Sequence, residues 1–143
     1  QMVEFYLILA AVTAVSMGVF WRLLIGTVVM VVAGYMGEAG FINTTIGFVV
    51  GMAGWAYILY EIFSGEASKS AANAKPSVQS AFNTMKWIVT IGWAIYPLGY
   101  FLGYLAGGTD EATLNIVYNV ADFINKIGFC LAIWAAATTE ADA

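Results

Sequence analysis

The stretch that decides the fold is ATLNIVYNVADFINKIGFCLAIWAAA at residues 112–137. This run exceeds the about 20 apolar residues that cross a bilayer as one helix, and its only charged side chains are Asp122 and Lys126. At about 1.5 Å per residue, Lys126 lies about 20 Å from one end of the run and about 18 Å from the other. An ordinary ion pair four residues apart is one explanation. Because charges within hydrocarbon are costly, a functional pair is favoured.

The composition of the whole chain agrees with a membrane location. Of its 143 residues, 62% are hydrophobic and 10% are charged, against about 25% charged in ordinary soluble domains. The mean hydropathy is +0.83 and the net charge is −4, so soluble enzymes, nucleic-acid binders and disordered chains are excluded. One cysteine and no histidine exclude a disulfide framework and a histidine metal site. The apolar runs are continuous rather than alternating, which predicts an all-α integral membrane protein.

Polar turns divide the rest of the chain into further apolar segments. Between Phe5 and Met36 the only charge is Arg22, and this run is too long for one span, so it must fold back between residues 16 and 23. The pattern predicts an exposed loop at residues 64–77, with Glu61 and Glu66 solvated at its mouth. The predicted spans form a single helical domain and lie at about residues 1–18, 22–38, 44–63, 78–105 and 112–137.

The first residue and the basic residues bear on completeness and orientation. Gln1 begins within an apolar run that has no basic leader and no cleavage site, so we expect a fragment of a longer protein. The basic residues lie at the turn near residue 20 and around the polar loop, which the positive-inside rule places in the cytoplasm. Alternation of the spans then places the C-terminus in the cytoplasm.

Aromatic residues in the fourth run form a wall at the depth of the lysine. Trp93, Tyr96, Pro97 and Tyr100 follow the spacing i, i+3, i+4, i+7 of one helix face. Pro97 has no N–H for the carbonyl of Trp93, so the helix can kink there. Packing alone explains many aromatic stripes. Beside a buried amine that can condense with an aldehyde, with Asp122 as counterion, the wall predicts a slot for a flat apolar ligand bearing one carbonyl.

Glu4 is a further ionisable residue within an apolar segment. If its helix continues upstream, Glu4 is embedded in the membrane and is a candidate proton relay. If the helix does not continue, Glu4 is an exposed group near a chain end. Glu38 lies at the opposite turn, where a structural role and a proton-exit role stay open.

Several segments resemble the microbial rhodopsins, and among these the marine proteorhodopsins. The similar segments are WAIYPLGYFLGY at 93–104, YNVADFINKIGF at 118–129, VEFYLILAA at 3–11, GYMGEAG at 34–40 and QSAFNTM at 79–85. The resemblance covers essentially the whole chain. It implies part of a seven-transmembrane-helix rhodopsin bundle, from the end of helix 3 through helix 7.

The resemblance also implies a cofactor and its site. Lys126 would bind all-trans-retinal covalently as a protonated Schiff base, with Asp122 in its counterion. The other pocket residues implied by the family are Trp93, Tyr96, Pro97, Tyr100, Met30, Gly34, Gly51 and Trp55. Gln1 resembles the spectral-tuning residue of the blue-absorbing type.

The activity implied by the resemblance is light-driven outward proton pumping across a bacterial inner membrane. Glu4 would be the cytoplasmic proton donor, and the acceptor Asp is expected to precede Gln1. The family forms ring-shaped homo-oligomers in the lipid bilayer and transports protons, with no nucleic-acid partner and no enzyme reaction. A sensory photoreceptor that signals to a partner is the alternative. An anion pump is less favoured because Glu4 would have no function there. A small non-retinal channel or transporter gated by Asp122 and Lys126 is also less favoured.

Overall fold

The computed structural model describes residues 1–141, which form helices joined by short turns and contain no strand. The helices are α1 (Met2–Ala10), α2 (Met17–Glu38), α3 (Thr44–Phe63), α4 (Glu66–Ala72), α5 (Pro76–Thr90), α6 (Ile95–Tyr100) and α7 (Glu111–Ala141). Between α5 and α7 the helical geometry changes twice: a 3₁₀ turn (Gly92–Ala94) precedes α6, and a π-helical turn (Phe101–Leu105) follows it.

Polar side chains fix where three of the long helices begin. Ser16 Oγ accepts a hydrogen bond from the Gly18 N–H at 3.0 Å, and Asn43 Oδ1 accepts one from the Thr45 N–H at 2.9 Å. At the start of α7 the Thr113 hydroxyl and N–H donate to Asp110 at 2.7 and 2.9 Å. These bonds satisfy N–H groups that have no partner inside a helix. The bonds from Thr113 also hold the pKa of Asp110 below its ordinary value.

Within residues 1–141, four helical stretches are long and apolar enough to cross a membrane: Met17–Glu38, Thr44–Ala72, Pro76–Leu105 and Glu111–Thr139. The prediction for the first part of the chain needs correction, because the expected span 1–18 is not one helix: α1 ends at Ala10 and α2 begins at Met17. The reversal lies before Met17, where Ser16 caps α2, and not between residues 16 and 23. Arg22 therefore lies inside α2.

The ion pairs of Arg22 explain this difference. Arg22 Nε donates to Glu61 Oε2 at 2.8 Å, and Nη2 donates to Glu61 Oε1 at 3.3 Å and to Glu66 Oε2 at 2.7 Å. Glu61 is only 3% exposed, so the prediction that it is solvated is wrong. The predicted exposed loop 64–77 also contains α4, whose residues Ala67 and Ala71 are buried. The Ala67 N–H donates to Glu61 Oε1 at 3.0 Å, which joins α4 to the end of α3.

Two kinds of contact hold the helices together. Phe5 of α1 contacts Phe82 of α5 and Phe129 of α7 edge-to-face, with ring centroids 5.2 and 5.4 Å apart. Helices α2 and α3 approach closely through glycines: a Cβ at Gly54 would lie 2.9 Å from the Met30 backbone nitrogen and 3.0 Å from the Gly26 carbonyl oxygen. Small residues allow such backbone approach between helices in lipid.

Candidate functional site

A cavity of about 510 Å³ lies between α2, α3, the irregular α6 segment and α7. This volume is in the range of pockets that hold small-molecule ligands and cofactors, about 300–1,000 Å³. Every predicted site residue except Glu4 lines this cavity. The lining residues that were predicted are Gln1, Met30, Gly34, Gly51, Trp55, Trp93, Tyr96, Pro97, Tyr100, Asp122 and Lys126.

The charged end of the cavity is built around Asp122. Lys126 Nζ donates to Asp122 Oδ2 at 2.5 Å, and the Tyr96 hydroxyl donates to Oδ1 at 2.5 Å. Both carboxylate oxygens are therefore paired, one with a cation and one with a hydroxyl.

Part of the Asp122–Lys126 pair faces outward from the described helices. Among the described residues, the Lys126 side chain is 58% exposed and that of Asp122 is 44% exposed. No described helix covers this face of α7, so the cavity is open beside the amine. The amine nevertheless lies near the middle of the candidate span Glu111–Thr139.

The wall opposite Asp122 is formed by the irregular segment around Pro97. Its backbone carbonyls accept hydrogen bonds from side chains of α7: Asn125 Nδ2 donates to the Gly92 oxygen at 3.0 Å, and the Tyr118 hydroxyl donates to the Tyr96 oxygen at 3.2 Å. Side chains of a neighbouring helix can replace bonds that an irregular membrane helix lacks. The irregularity expected at Pro97 is present as the 3₁₀ turn at Gly92–Ala94.

The apolar walls leave room for a ligand. A Cβ at Gly34 would meet no atom within 4 Å, and one at Gly51 would lie in ordinary contact, 3.5 Å from the Met30 carbonyl oxygen. Trp55 is oriented by a hydrogen bond from its indole Nε1 to the Val89 oxygen at 3.1 Å. The residues therefore fit an elongated apolar group with a reactive carbonyl at the Lys126 end.

Glu4 lies away from this cavity. It borders a separate, mostly apolar groove of about 410 Å³ between α1, Val78 and the end of α7. Its Oε2 is buried without a hydrogen-bond partner among the described residues, and the Gln1 amino nitrogen is 3.4 Å away.

Sequence reasoning missed two residues of this region. Tyr118 lines the cavity. It lies four residues before Asp122, just as Lys126 lies four residues after it, and this spacing could have indicated that the three share one helix face. Asn125 is only 8% exposed, and an amide within an apolar helix is itself a sign of a specific partner.

The amino-acid sequence is similar to those of known membrane proteins. The sequence profile described as "Bacteriorhodopsin-like protein" matches residues 1–140. The chain belongs to the bacteriorhodopsin-like family. It is 52% identical over 138 residues to a green-light absorbing proteorhodopsin of Gamma-proteobacterium EBAC31A08, an alignment that covers 96% of the chain and 55% of the relative. It is 51% identical over 142 residues to a blue-light absorbing proteorhodopsin of Gamma-proteobacterium Hot 75m4, covering 98% of the chain and 57% of the relative.

A solved structure shows the same fold. The chain matches the crystal structure of the blue light-absorbing proteorhodopsin from Med12 with a TM-score of 0.79 and 51% identity, covering 98% of the chain and 61% of that structure. The described helices are therefore part of a seven-helix rhodopsin bundle, as the resemblance predicted. The chain spans a little over half the length of the proteorhodopsins that it matches.

Proposed function

We propose that the chain is part of a retinal-binding, light-driven outward proton pump. The observation that carries this proposal is the Lys126 amine, paired with Asp122 at 2.5 Å, at the end of an aromatic-lined cavity of about 510 Å³. Family membership supports retinal as the ligand. When bound, all-trans-retinal supplies the chromophore and a light-driven isomerisation, and is linked to the Lys126 nitrogen with loss of water.

The residues of the chain hold charge and protons around that nitrogen. Asp122 stabilises the positive charge at Nζ, while the Tyr96 hydroxyl keeps the other carboxylate oxygen occupied. Trp93, Pro97 and Tyr100 close one side of the cavity, and Trp55 with Met30 closes the other. These walls would keep the bound group extended.

Glu4 is proposed as the cytoplasmic proton donor. Its Oε2 is buried and has no hydrogen-bond partner among the described residues, although the Gln1 amino nitrogen lies 3.4 Å away. The residue lies one helical turn from Gln1, whose amide contacts the main chain beside Lys126. A proton donor on the cytoplasmic side of the Lys126 nitrogen and an acceptor on the opposite side give transport a direction only when access to that nitrogen alternates between the two sides.

The remaining features of the proposal concern colour and setting. Gln1 lines the cavity and is proposed to tune absorption toward the blue. Lys126 and α7 belong to helix 7 of the bundle, and α1 to the end of helix 3. Arg22, with Lys69 on α4, marks the cytoplasmic side of a bacterial plasma membrane, so the C-terminus is cytoplasmic. The full-length protein is proposed to form a ring-shaped homo-oligomer in the bilayer.

The test uses a chimera in which residues 1–143 replace the matching segment of the green-light absorbing relative. Vesicles containing the chimera and all-trans-retinal should show a visible band and light-driven proton movement that a protonophore abolishes. A band without proton movement would favour a photoreceptor, and the absence of a band would contradict retinal binding.

Replacing Glu4 with Gln in this chimera tests the donor. The substitution should keep the visible band but slow its recovery after a flash by about a hundredfold or more, because a positioned proton donor contributes on that scale. Glu111→Gln makes the same chemical change at an exposed position and should leave the recovery unchanged. Recovery of the Glu4→Gln chimera at the unsubstituted rate would remove Glu4 from the relay.

A further inference from the structure

Asn125, the residue before Lys126, is held from two sides. Its side-chain Nδ2 donates to the Gly92 carbonyl oxygen at 3.0 Å. Its main-chain oxygen accepts a hydrogen bond from Gln1 Nε2 at 3.3 Å. That oxygen belongs to the peptide group whose nitrogen is the backbone nitrogen of Lys126. Gly92 is therefore bonded to the side chain of Asn125, and Gln1 to the peptide group that joins Asn125 to Lys126.

The contact between Asn125 and Gly92 is close-packed. A Cβ at Gly92 would overlap Asn125 Oδ1, so a side chain at this position would force the amide to shift. Gly92 is the first residue of the 3₁₀ turn Gly92–Ala94, and the next residue, Trp93, lines the cavity. The position of the Asn125 amide therefore sets the position of the backbone that carries Trp93.

The 3₁₀ turn depends on outside support. Within it, the Ala94 N–H bonds to the Ile91 oxygen at 3.2 Å, and Pro97 contributes no N–H to the carbonyls before it. Hydrogen bonds of 3₁₀ turns have poorer geometry than those of α-helices. A buried donor from α7 is thus a main constraint on this segment.

We propose that Asn125 is a positioning residue that fixes Trp93 and the Lys126 backbone relative to each other, and that Gln1 acts on the same peptide group. Asn125 is absent from the residues that line the cavity. An effect of its side chain on a bound chromophore therefore passes through a neighbour: the 3₁₀ turn, the backbone of Lys126, or the Tyr96 hydroxyl, which also interacts with the Asn125 amide. This inference rests on the proposed retinal function.

A double-substitution experiment tests the coupling in the chimera described above. The experiment compares three variants: Asn125→Leu, Gln1→Leu and the double substitution. It measures the absorption maximum and the C=N stretching frequency at Lys126. Asn119→Leu is the matched control, because Asn119 is an exposed asparagine on the same helix. The Asn125→Leu change should shift both signals while the control does not, and the shift caused by Gln1→Leu should change when Asn125 is already Leu. An unshifted Asn125→Leu pigment, or strictly additive shifts, would overturn the proposal.

A second measurement needs no pigment. In the retinal-free chimera, amide hydrogen exchange of peptides covering residues 90–97 should be about tenfold faster with Asn125→Leu, because the part-buried Gly92 carbonyl loses its partner. Asn119→Leu should leave that exchange unchanged. Unchanged exchange in the Asn125→Leu chimera would refute the contact with Gly92 even if a normal pigment forms. A chimera without a visible band but with the faster exchange would contradict the proposed function and support the positioning contact.

Discussion

Replacing Glu61 with Gln should destabilise the helix bundle more than the same change at Glu66. Both carboxylates bind Arg22, but Glu61 is 3% exposed and Glu66 is 42% exposed. The Glu61 carboxylate accepts three hydrogen bonds, from Arg22 Nε, from Arg22 Nη2 and from the Ala67 N–H. Gln has one oxygen in place of two, so its NH₂ group must face one of these donors.

The magnitude follows from burial and from the partner that remains. Removing one member of a fully buried ion pair costs about 3–5 kcal/mol. Arg22 is one-third exposed and keeps Glu66 at 2.7 Å, so the lower range for hydrogen bonds to charged groups applies, about 1.5–3 kcal/mol. Glu66→Gln breaks an exposed pair and should cost less than about 1 kcal/mol.

The assay is denaturant-induced unfolding of the retinal-free chimera in mixed micelles, followed by circular dichroism. Both variants are compared with the unsubstituted chimera under identical conditions. A loss for Glu66→Gln equal to or greater than that for Glu61→Gln would show that burial does not decide the strength of these pairs. The account of the junction between α2, α3 and α4 would then be wrong.

The other predictions concern helix packing and helix capping. Gly54→Ala should destabilise the retinal-free chimera by about 1–3 kcal/mol, because a Cβ there would lie 2.9 Å from the α2 backbone. Gly34→Ala is the control and should not destabilise the chimera, because a Cβ there would meet no atom within 4 Å. Equal losses in the same unfolding assay would refute close α2–α3 packing. Hydrogen bonds from Thr113 lower the pKa of Asp110 in the folded state. The ionised Asp110 carboxylate therefore stabilises the fold fully above its ordinary pKa of 3.8, and this stabilisation is lost as the pH falls through the lower folded pKa. Unfolding of Asp110→Ala and of the unsubstituted chimera should therefore converge in acid, and a difference that grows below pH 3.8 would contradict this capping.

Much of the helical architecture follows from apolar run length, because lipid leaves helix as the main way to satisfy the backbone. Run length does not locate a turn when an apolar segment is longer than one span. Trp21 and Arg22 suggested a membrane interface and hence a turn. In the structure Arg22 binds Glu61, which lies 39 positions later, and no local pattern indicates that pairing.

Part of the candidate site also follows from the sequence, and part depends on the tertiary fold. The spacing of Asp122 and Lys126, and that of Trp93 to Tyr100, placed these residues on two helix faces, and the structure brings both faces to one cavity. The bonds of Asn125 join positions 33 and 124 residues apart, so they depend on tertiary packing. The openness around Lys126 also could not be deduced from its central position in an apolar run.

Identification of the residue that carries the chromophore tests the central claim most directly. The chimera is incubated with all-trans-retinal, reduced with borohydride, digested and analysed by mass spectrometry. The account predicts a retinyl group on the peptide that contains Lys126, and no visible band in the Lys126→Ala chimera. A retinyl group on another lysine, or a visible band that survives Lys126→Ala, would contradict it.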